Sequence, residues 1–492
     1  MQNLSQLLQA RRQERSCGLY FNDEYCSYAD LIEEAAHQAA ALRVGTTVVL
    51  VSDNSLQLVQ ALLACWWAGC TPVCLPPPAR LQQLGPYSHF LQKALKDCQV
   101  QAGWCDGKLL DRFPPGWQSL PLPRAHQPPP PQPPAPQAYL QFSSGTTLDP
   151  KPIPLSHANL MHNLEAIVSQ LPGSRTQHSC VSWLPLYHDM GLVGCLLSAL
   201  YAPGSLTLLT PTQFALRPGS WLDTISRRRA TISALPNFGL EQLLLRDTGT
   251  RDLSSLQWLL LGAETVKVDT LQRFYQRYAD QGLSWQALRP VYGLAEATLA
   301  VTFSDQPTLG HFQIPSQMGE AVTVGSRPLV AVGRALPGVE VSLRDLDGQP
   351  LDSGHLGLIH VAGPSLAGHL PSPYNTGDIG FLWEDQLYFV SRYKDVLVYH
   401  ARKHDPEVVE ALVQPLESAA VAASEELTVC LVERPRRQAD QDSALLQQLE
   451  QQVSQAPLPV RVVIVDTGWL PRTSSGKISR FRVRQKYAEG AL

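Results

Sequence analysis

Apolar and polar positions along the first third of the chain follow two periods in alternation. Residues 28–42 carry apolar side chains at helical spacing, and 46–51 (TTVVLV) is a β-branched run suited to a buried strand. An apolar helix is predicted over 55–67 and a short strand over 71–75, ahead of Pro76, Pro77 and Pro78. Strand–helix–strand order of this kind predicts a mostly parallel sheet covered by helices. The most apolar run, 58–74, contains Gln60 and ends in Gly69, Thr71 and Pro72. It falls short of the roughly 20 residues a membrane span needs, so a buried helix is predicted instead.

The proline tract 128–136 cannot pack as helix or sheet and is predicted to be an extended surface linker. It leads into a strand at 138–142, and α/β patterning continues to about residue 300. From 331 to 388 the texture changes to short strands broken by Pro337-Gly338, Asp347-Gly348, Ser353-Gly354 and Gly363-Pro364. Beyond Tyr393-Lys394-Asp395 the chain resumes as a compact unit of about 100 residues. The predicted class is α/β, with a large N-terminal domain (1–394) of mixed sheets flanked by helices. It includes a β-rich subdomain at about 331–394, and a small α+β C-terminal domain follows at 395–492. The pairs Gln447-Gln448 and Gln451-Gln452 read as a solvated helix face.

Composition narrows the function. At 492 residues, about two to four domains are expected. With 44% hydrophobic and 17% charged residues, the chain has a globular rather than a disordered composition. A net charge of -4 argues against nucleic acid as a partner, which would require a basic field. Ten cysteines run from Cys17 to Cys430 with no CxxC pair, and Cys65, Cys70 and Cys74 lack partnering histidines. Reduced, mostly buried thiols are expected. The first residues lack a basic stretch followed by an apolar one, so no signal peptide is visible and cytoplasmic residence is the expectation.

The strand at 138–142 delivers a loop of Ser143, Ser144, Gly145, Thr146 and Thr147, followed by Leu148, Asp149, Pro150 and Lys151. Hydroxyls and backbone N–H groups around a glycine suit a polyphosphate, and Lys151 adds a cation. Pro152 after the lysine rules out the Walker pattern, and a polar turn between two strands is the alternative reading. Farther along, Tyr292-Gly293-Leu294-Ala295-Glu296 offers an aromatic face for a base and a carboxylate suited to Mg2+. Thr376-Gly377-Asp378 is a tight turn whose carboxylate can accept hydrogen bonds from ribose hydroxyls, and 470–477 (LPRTSSGK) ends in Lys477 on a polar loop. Each is weak alone.

Together and in this order, these segments resemble the superfamily of acyl-CoA synthetases, peptide-synthetase adenylation domains and luciferases. Within it the text is most similar to the fatty acyl-AMP ligases, through 182–192 (SWLPLYHDMGL), 156–160 (SHANL), 236–238 (PNF), 292–299 (YGLAEATL) and 474–477 (SSGK). The resemblance covers nearly the whole chain. It implies ATP and Mg2+ as cofactors, with Thr146, Thr147 and Lys151 on the phosphates and Thr146 and Glu296 on the metal. It places Gly262, Ala263, Glu264, Tyr292 and Gly293 around adenine, and Asp378 and Arg392 on the ribose. Lys477 is implied to bridge the substrate carboxylate and the α-phosphate as charge builds in line. His188 is implied to line the carboxylate's approach, a satisfied core histidine being the alternative. Asn237, Phe238 and Gly239 fall in the acyl-pocket stretch, and Lys394 and Asp395 resemble the hinge about which the small domain turns. Arg402, Lys403 and His404 resemble the segment after that hinge.

The chain departs from the family pattern at Leu148 and Pro152, where glycines usually give the phosphate loop its freedom. A stiffer loop and slower turnover are expected. Residues 234–239 (ALPNFG) lack the aspartate that pairs with an α-amine, which favours a fatty or other apolar acid. The resemblance favours an acyl carrier protein as acceptor, with free CoA as the alternative and a weakened adenylate-binding protein as a third reading. Arg472, Lys477, Arg480, Arg482, Arg484 and Lys486 form a basic run: either a dock for an acidic carrier domain or a solvated face holding one catalytic lysine. The connection 302–332 is long by ordinary loop standards and stands where the fatty acyl-AMP ligases carry an insertion.

Overall fold

The structure is a computed structural model that describes residues 1–78, 84–100, 102–107, 121–142, 151–171, 173, 178–399, 402–414, 416–424, 427–434, 442–472 and 478–490. Among these residues the largest sheet has nine strands. Its centre is parallel, running from Leu288–Gly293 through Trp258–Leu261, Ile232–Leu235, Ser179–Ser182 and Ser205–Leu208 to Gly18–Phe21. Antiparallel strands close both edges: Ala300–Phe303 with Arg334–Ala335 on one side, and Glu24–Ser27 on the other. Trp258–Leu261 is buried along its whole length, as expected of a central strand covered on both faces.

A second parallel sheet orders Thr71–Leu75, Thr47–Val51 and Ala102–Cys105. The helix Leu56–Trp67 between its first two strands is capped by the Ser55 side chain. Periodicity located these elements to within a residue or two. The proline tract lies mostly at the surface, as expected. It is neither helix nor strand, but it is strapped to the end of that helix: Trp67 Nε1 donates to the Pro129 carbonyl at 2.9 Å, and Gln132 N donates to the Trp67 carbonyl at 2.9 Å. Gly69 permits the approach, since a Cβ there would lie 2.3 Å from the Pro133 carbonyl oxygen.

The β-rich region is a four-stranded antiparallel sheet, Glu340–Arg344, Gly357–Ala362, Tyr374–Trp383 and Gln386–Arg392, packed on a core that includes Phe312, Phe381 and Tyr388. Part of the 302–332 connection forms its own three-stranded sheet, Leu309–Gln313, Thr323–Val324 and Arg327–Val330. The C-terminal unit pairs Ser418–Ala422, Thr428–Glu433 and Val460–Val465 into a mixed sheet. The helices Pro406–Glu410, Asp442–Val453 and Arg480–Ala488 accompany it, and it has cores of its own. The fold is therefore α/β, with a large N-terminal domain and a small α+β C-terminal domain. None of the ten cysteines, all among the described residues, forms a disulfide, and most are buried. No helix among the described residues is long and apolar enough to cross a membrane.

Candidate active-site cavity

Two parallel strands of the main sheet end level, Leu235 pairing with Leu261, and the next strand, Leu288–Gly293, runs three residues past the pairing of Leu261 with Pro290. Open α/β sheets bind ligands outside such carboxyl ends. A cavity of about 800 Å3 lies here, bordered by the four-stranded sheet. Its polar wall includes Tyr292, Glu296, Asn375, Thr376, Asp378 and Arg392. Its apolar wall includes Ile167, Met190, Gly194, Leu260, Leu299 and Phe303.

Asp378 is the best-held group on the polar wall. The Tyr292 hydroxyl donates to its Oδ2 at 2.7 Å, and Arg392 Nε stands 3.3 Å from its Oδ1. Its own N–H donates to Thr376 Oγ1 at 3.1 Å, and that hydroxyl donates to the Ile359 carbonyl at 2.9 Å. Burial, reinforced by the Asp378 charge, pushes the Tyr292 hydroxyl well above its usual range, so it remains a donor at neutral pH. Burial works against the Arg392 charge, but the fields of Asp378 and Asp395 outweigh it and hold that guanidinium above its ordinary value.

Glu296 sits in a turn that is over-determined. Leu294 N donates to the Leu299 carbonyl at 2.9 Å, and Leu299 N to the Ala297 carbonyl at 2.8 Å. Between them Thr298 adopts φ 70°, ψ -56°, the strained γ-turn conformation, at a cost of about 1–3 kcal/mol. Its Oγ1 offsets part of this by donating to the Ser365 carbonyl at 2.7 Å. Gly293 is required here, because a Cβ would lie 1.9 Å from the Leu299 carbonyl oxygen. Burial raises the Glu296 carboxyl, Asp189 and Asp378 add to the shift, and Arg392 opposes it.

His188 belongs to a stretch pinned from two sides. Asn54 Nδ2 donates to the Leu184 and Leu209 carbonyls at 3.0 and 2.9 Å, and its Oδ1 accepts from Leu186 N at 3.0 Å. Gln141 Nε2, from the strand feeding the hydroxyl-rich loop, donates to the Tyr187 carbonyl at 3.1 Å. His188 and Asp189 both line the cavity, His188 Nδ1 standing 2.6 Å from Asp189 Oδ1. Residues Met190–Leu197 then form a π-helix that carries Met190 and Gly194 onto the apolar wall.

The other expected residues divide. Ala263, in the left-handed region at φ 67°, Gly293 and Lys394 line the cavity. Gly262 serves packing: a Cβ there would meet Val291 Cγ2 at 2.7 Å. Glu264 is not on the wall, and its carboxylate accepts from Phe238 N. Asn237, Phe238 and Gly239 do not line the cavity; Ala234, on the preceding strand, does. Asn237 instead accepts from Lys267 N at 3.0 Å and donates to Glu241 at 2.9 Å, while Phe238 packs edge-on against Trp183. Asp395 lies beyond the wall, 3.6 Å from Arg480 Nη1, and burial raises its carboxyl. Lys151 is exposed just before the strand Pro152–Leu155. Ser143, Ser144, Gly145, Thr146, Thr147 and Lys477 lie outside the described residues.

Much of the C-terminal basic run is engaged within its own unit. Arg480 pairs with Glu410 at 2.7 Å, Arg472 with Glu417, and Lys486 donates to the Trp469 carbonyl at 2.8 Å while lying over its ring. Residue reading missed Asn54, Gln141, Asp189 and Thr298. The only signal in the text was a polar residue set between apolar runs.

Comparison with known proteins adds a context for this geometry. The sequence pattern of the AMP-binding enzyme family matches residues 8–369. A medium-chain-fatty-acid–[acyl-carrier-protein] ligase, JamA of Moorena producens, is 29% identical, over 95% of this chain and 90% of that one. A 4-hydroxyphenylalkanoate adenylyltransferase of Mycobacterium tuberculosis is 28% identical over 90% of this chain and 82% of that one. Among solved structures, one from work on fatty acyl-adenylate ligases of E. coli and L. pneumophila superposes with a TM-score of 0.87. It is 27% identical and covers 100% of this chain and 98% of its own.

Proposed function

The chain belongs to the AMP-binding enzyme family, and from that premise we propose that it activates a fatty or other apolar acid as its acyl-AMP and passes the acyl group to the phosphopantetheine thiol of a carrier protein. The observation that carries this reading is a cavity in which Asp378, held by Tyr292 and Arg392, shares the space with an apolar wall that includes Ile167, Met190, Leu260, Leu299 and Phe303. Ala234, Leu260 and Leu299 carry no acid to pair an α-amine, and Asp189, which also lines the cavity, is engaged by His188 and by Met190 N. JamA, named for transfer to a carrier protein, supports the choice of acceptor.

Chemically, a substrate carboxylate oxygen attacks the α-phosphorus of ATP, forming the acyl–phosphate bond and releasing pyrophosphate. The carrier thiol then attacks the acyl carbon, loses its proton and displaces AMP. Tyr292, Gly293 and Ala263 frame the base, Asp378 and Arg392 take the ribose, and Lys151 and the loop 143–147 take the phosphates. Lys477 draws carboxylate and α-phosphate together. Lys394 and Asp395 form the hinge that brings the small domain's second face to the site.

Glu296 fits Mg2+. Among the described residues no three His, Cys, Asp or Glu gather to form an all-protein metal cage. One carboxylate, a threonine hydroxyl and substrate phosphates make the kind of open oxygen set that Mg2+ accepts. Bound there, the ion neutralises charge on the phosphates.

The test incubates the protein with ATP, Mg2+ and a panel of fatty and aryl acids, then adds holo-carrier protein or CoA. Acid-dependent acyl-AMP and acyl transfer to the carrier are expected. Acyl-CoA formed as readily as acyl-carrier would overturn the acceptor, and no acyl-AMP with any acid would overturn the whole reading.

A further inference from the structure

We propose that Asp189 is a positioning residue for His188, holding the imidazole with its proton on Nδ1 and its Nε2 aimed at the carboxylate of the acid substrate. The inference rests on the reading above that His188 faces that carboxylate.

Two hydrogen-bond patterns compete around the ring. Met190 N lies 3.3 Å from His188 Nδ1 and 2.7 Å from Asp189 Oδ1. If Nδ1 accepted from Met190, its lone pair would face a carboxylate oxygen 2.6 Å away with no proton between them. If Nδ1 carries the proton, it donates to Asp189, and the same oxygen also accepts the Met190 N–H at the shorter distance. Only the second pattern satisfies every donor, so the geometry selects the Nδ1–H form.

That leaves Nε2. It is buried and has no hydrogen-bond partner among the described residues, on a side chain that lines the cavity. Buried polar atoms without partners are rare in folded proteins, and one at a binding cavity is a place for a ligand atom. In the Nδ1–H form Nε2 is an acceptor, so a water that donates both to it and to a carboxylate oxygen joins the ring to the acid, while Nδ1–H donates to Asp189. A carboxylate behind a ligand-facing imidazole fixes ring plane and tautomer in the same way at metal sites.

The backbone keeps this arrangement in register. His188 N donates to the Pro185 carbonyl at 3.1 Å, and Leu192 N donates to the His188 carbonyl at 2.9 Å. Asp189 also caps the π-helix Met190–Leu197, which bears Gly194 on the apolar wall. One side chain thus ties the position of the acid's head to the surface that receives its tail.

The test compares Asp189→Ala, Asp189→Asn and His188→Ala by acid-dependent ATP–pyrophosphate exchange, with KM measured separately for acid and ATP. Histidine-labelled protein examined by 15N NMR reports the tautomer, the His188 signal being the one lost in His188→Ala. The wild type is expected to show Nδ1–H. Asp189→Ala should raise the acid KM about tenfold or more, leave the ATP KM within about twofold and lose the Nδ1–H signature. Asp189→Asn keeps an accepting oxygen and should retain that signature with a smaller rise in acid KM. A wild-type acid KM in folded Asp189→Ala, beside a defective His188→Ala, would overturn the proposal alone. An unchanged acid KM in His188→Ala would overturn it together with the reading beneath it. Equal rises in both KM values, or an Nε2–H tautomer in the wild type, would mark Asp189 as structural and also overturn it.

Discussion

The two walls of the cavity are assembled differently. The polar wall comes mainly from two short stretches, 292–296 and 374–394, each locked by its own hydrogen bonds before it meets the other through Tyr292 and Asp378. The apolar wall is gathered from a helix, a π-helix and several strands between Ile167 and Phe303, each contributing one or two side chains. On the polar wall, a single atom has a specific partner. On the apolar wall, shape is shared, so no residue there is individually irreplaceable.

Substitutions should therefore separate the walls, starting with the largest effect. Lys477→Ala is expected to abolish acyl-AMP formation, a loss of about 100-fold or more in rate, with ATP binding largely intact by calorimetry. Asp378→Ala removes the partner of both Tyr292 and Arg392 and should raise the ATP KM about 10- to 100-fold while leaving the order of preference among acids unchanged. Loss of acid discrimination in that variant would break the comparison.

Glu296 gives a pH signature. Burial, with Asp189 and Asp378, raises its carboxyl, so it takes up a proton at higher pH than an ordinary glutamate. The protonated form cannot hold a cation. The Mg2+ concentration needed for half-maximal exchange should thus rise as pH falls through that raised value, and should lose this dependence in Glu296→Gln. A wild-type Mg2+ requirement that stays flat over the acidic range would remove Glu296 from the metal.

Smaller effects are expected on the apolar wall. Gly194→Leu fills cavity space near Leu299 and should lower kcat/KM for bulky acids by about tenfold, with the ATP KM unmoved. Phe238→Ala, off the wall and packed on Trp183, should lower stability by about 1–3 kcal/mol in thermal unfolding without shifting acid preference. A changed acid preference would return residue 238 to the pocket.

The difference between the walls also decides what the sequence could reveal. Tyr292, Glu296, Asp378 and Arg392 were legible because their chemistry requires particular residue types, although Thr376-Gly377-Asp378, expected as a tight turn, lies within the strand Tyr374–Trp383. The alternating strands and helices of the first third were legible because burial imposes a period. The acyl wall was not: Ala234, on the strand Ile232–Leu235, reaches the cavity, and Phe238, four residues later on the helix Asn237–Arg246, does not. Only the packing of that strand and helix in the fold distinguishes them. Free charge was equally hidden, since Arg480 in the C-terminal basic run is spent on Asp395, Glu407 and Glu410. Asn54 and Gln141 hold the His188 stretch through contacts 132 and 46 residues away in sequence, which no local pattern records.

The most direct measurement is acid-dependent exchange of labelled pyrophosphate into ATP by the wild-type protein, with acyl-AMP identified by mass spectrometry. Exchange that appears only with an apolar acid and Mg2+, and vanishes in Lys477→Ala, is the predicted result. Exchange without any acid, or none with any acid tested, would contradict it.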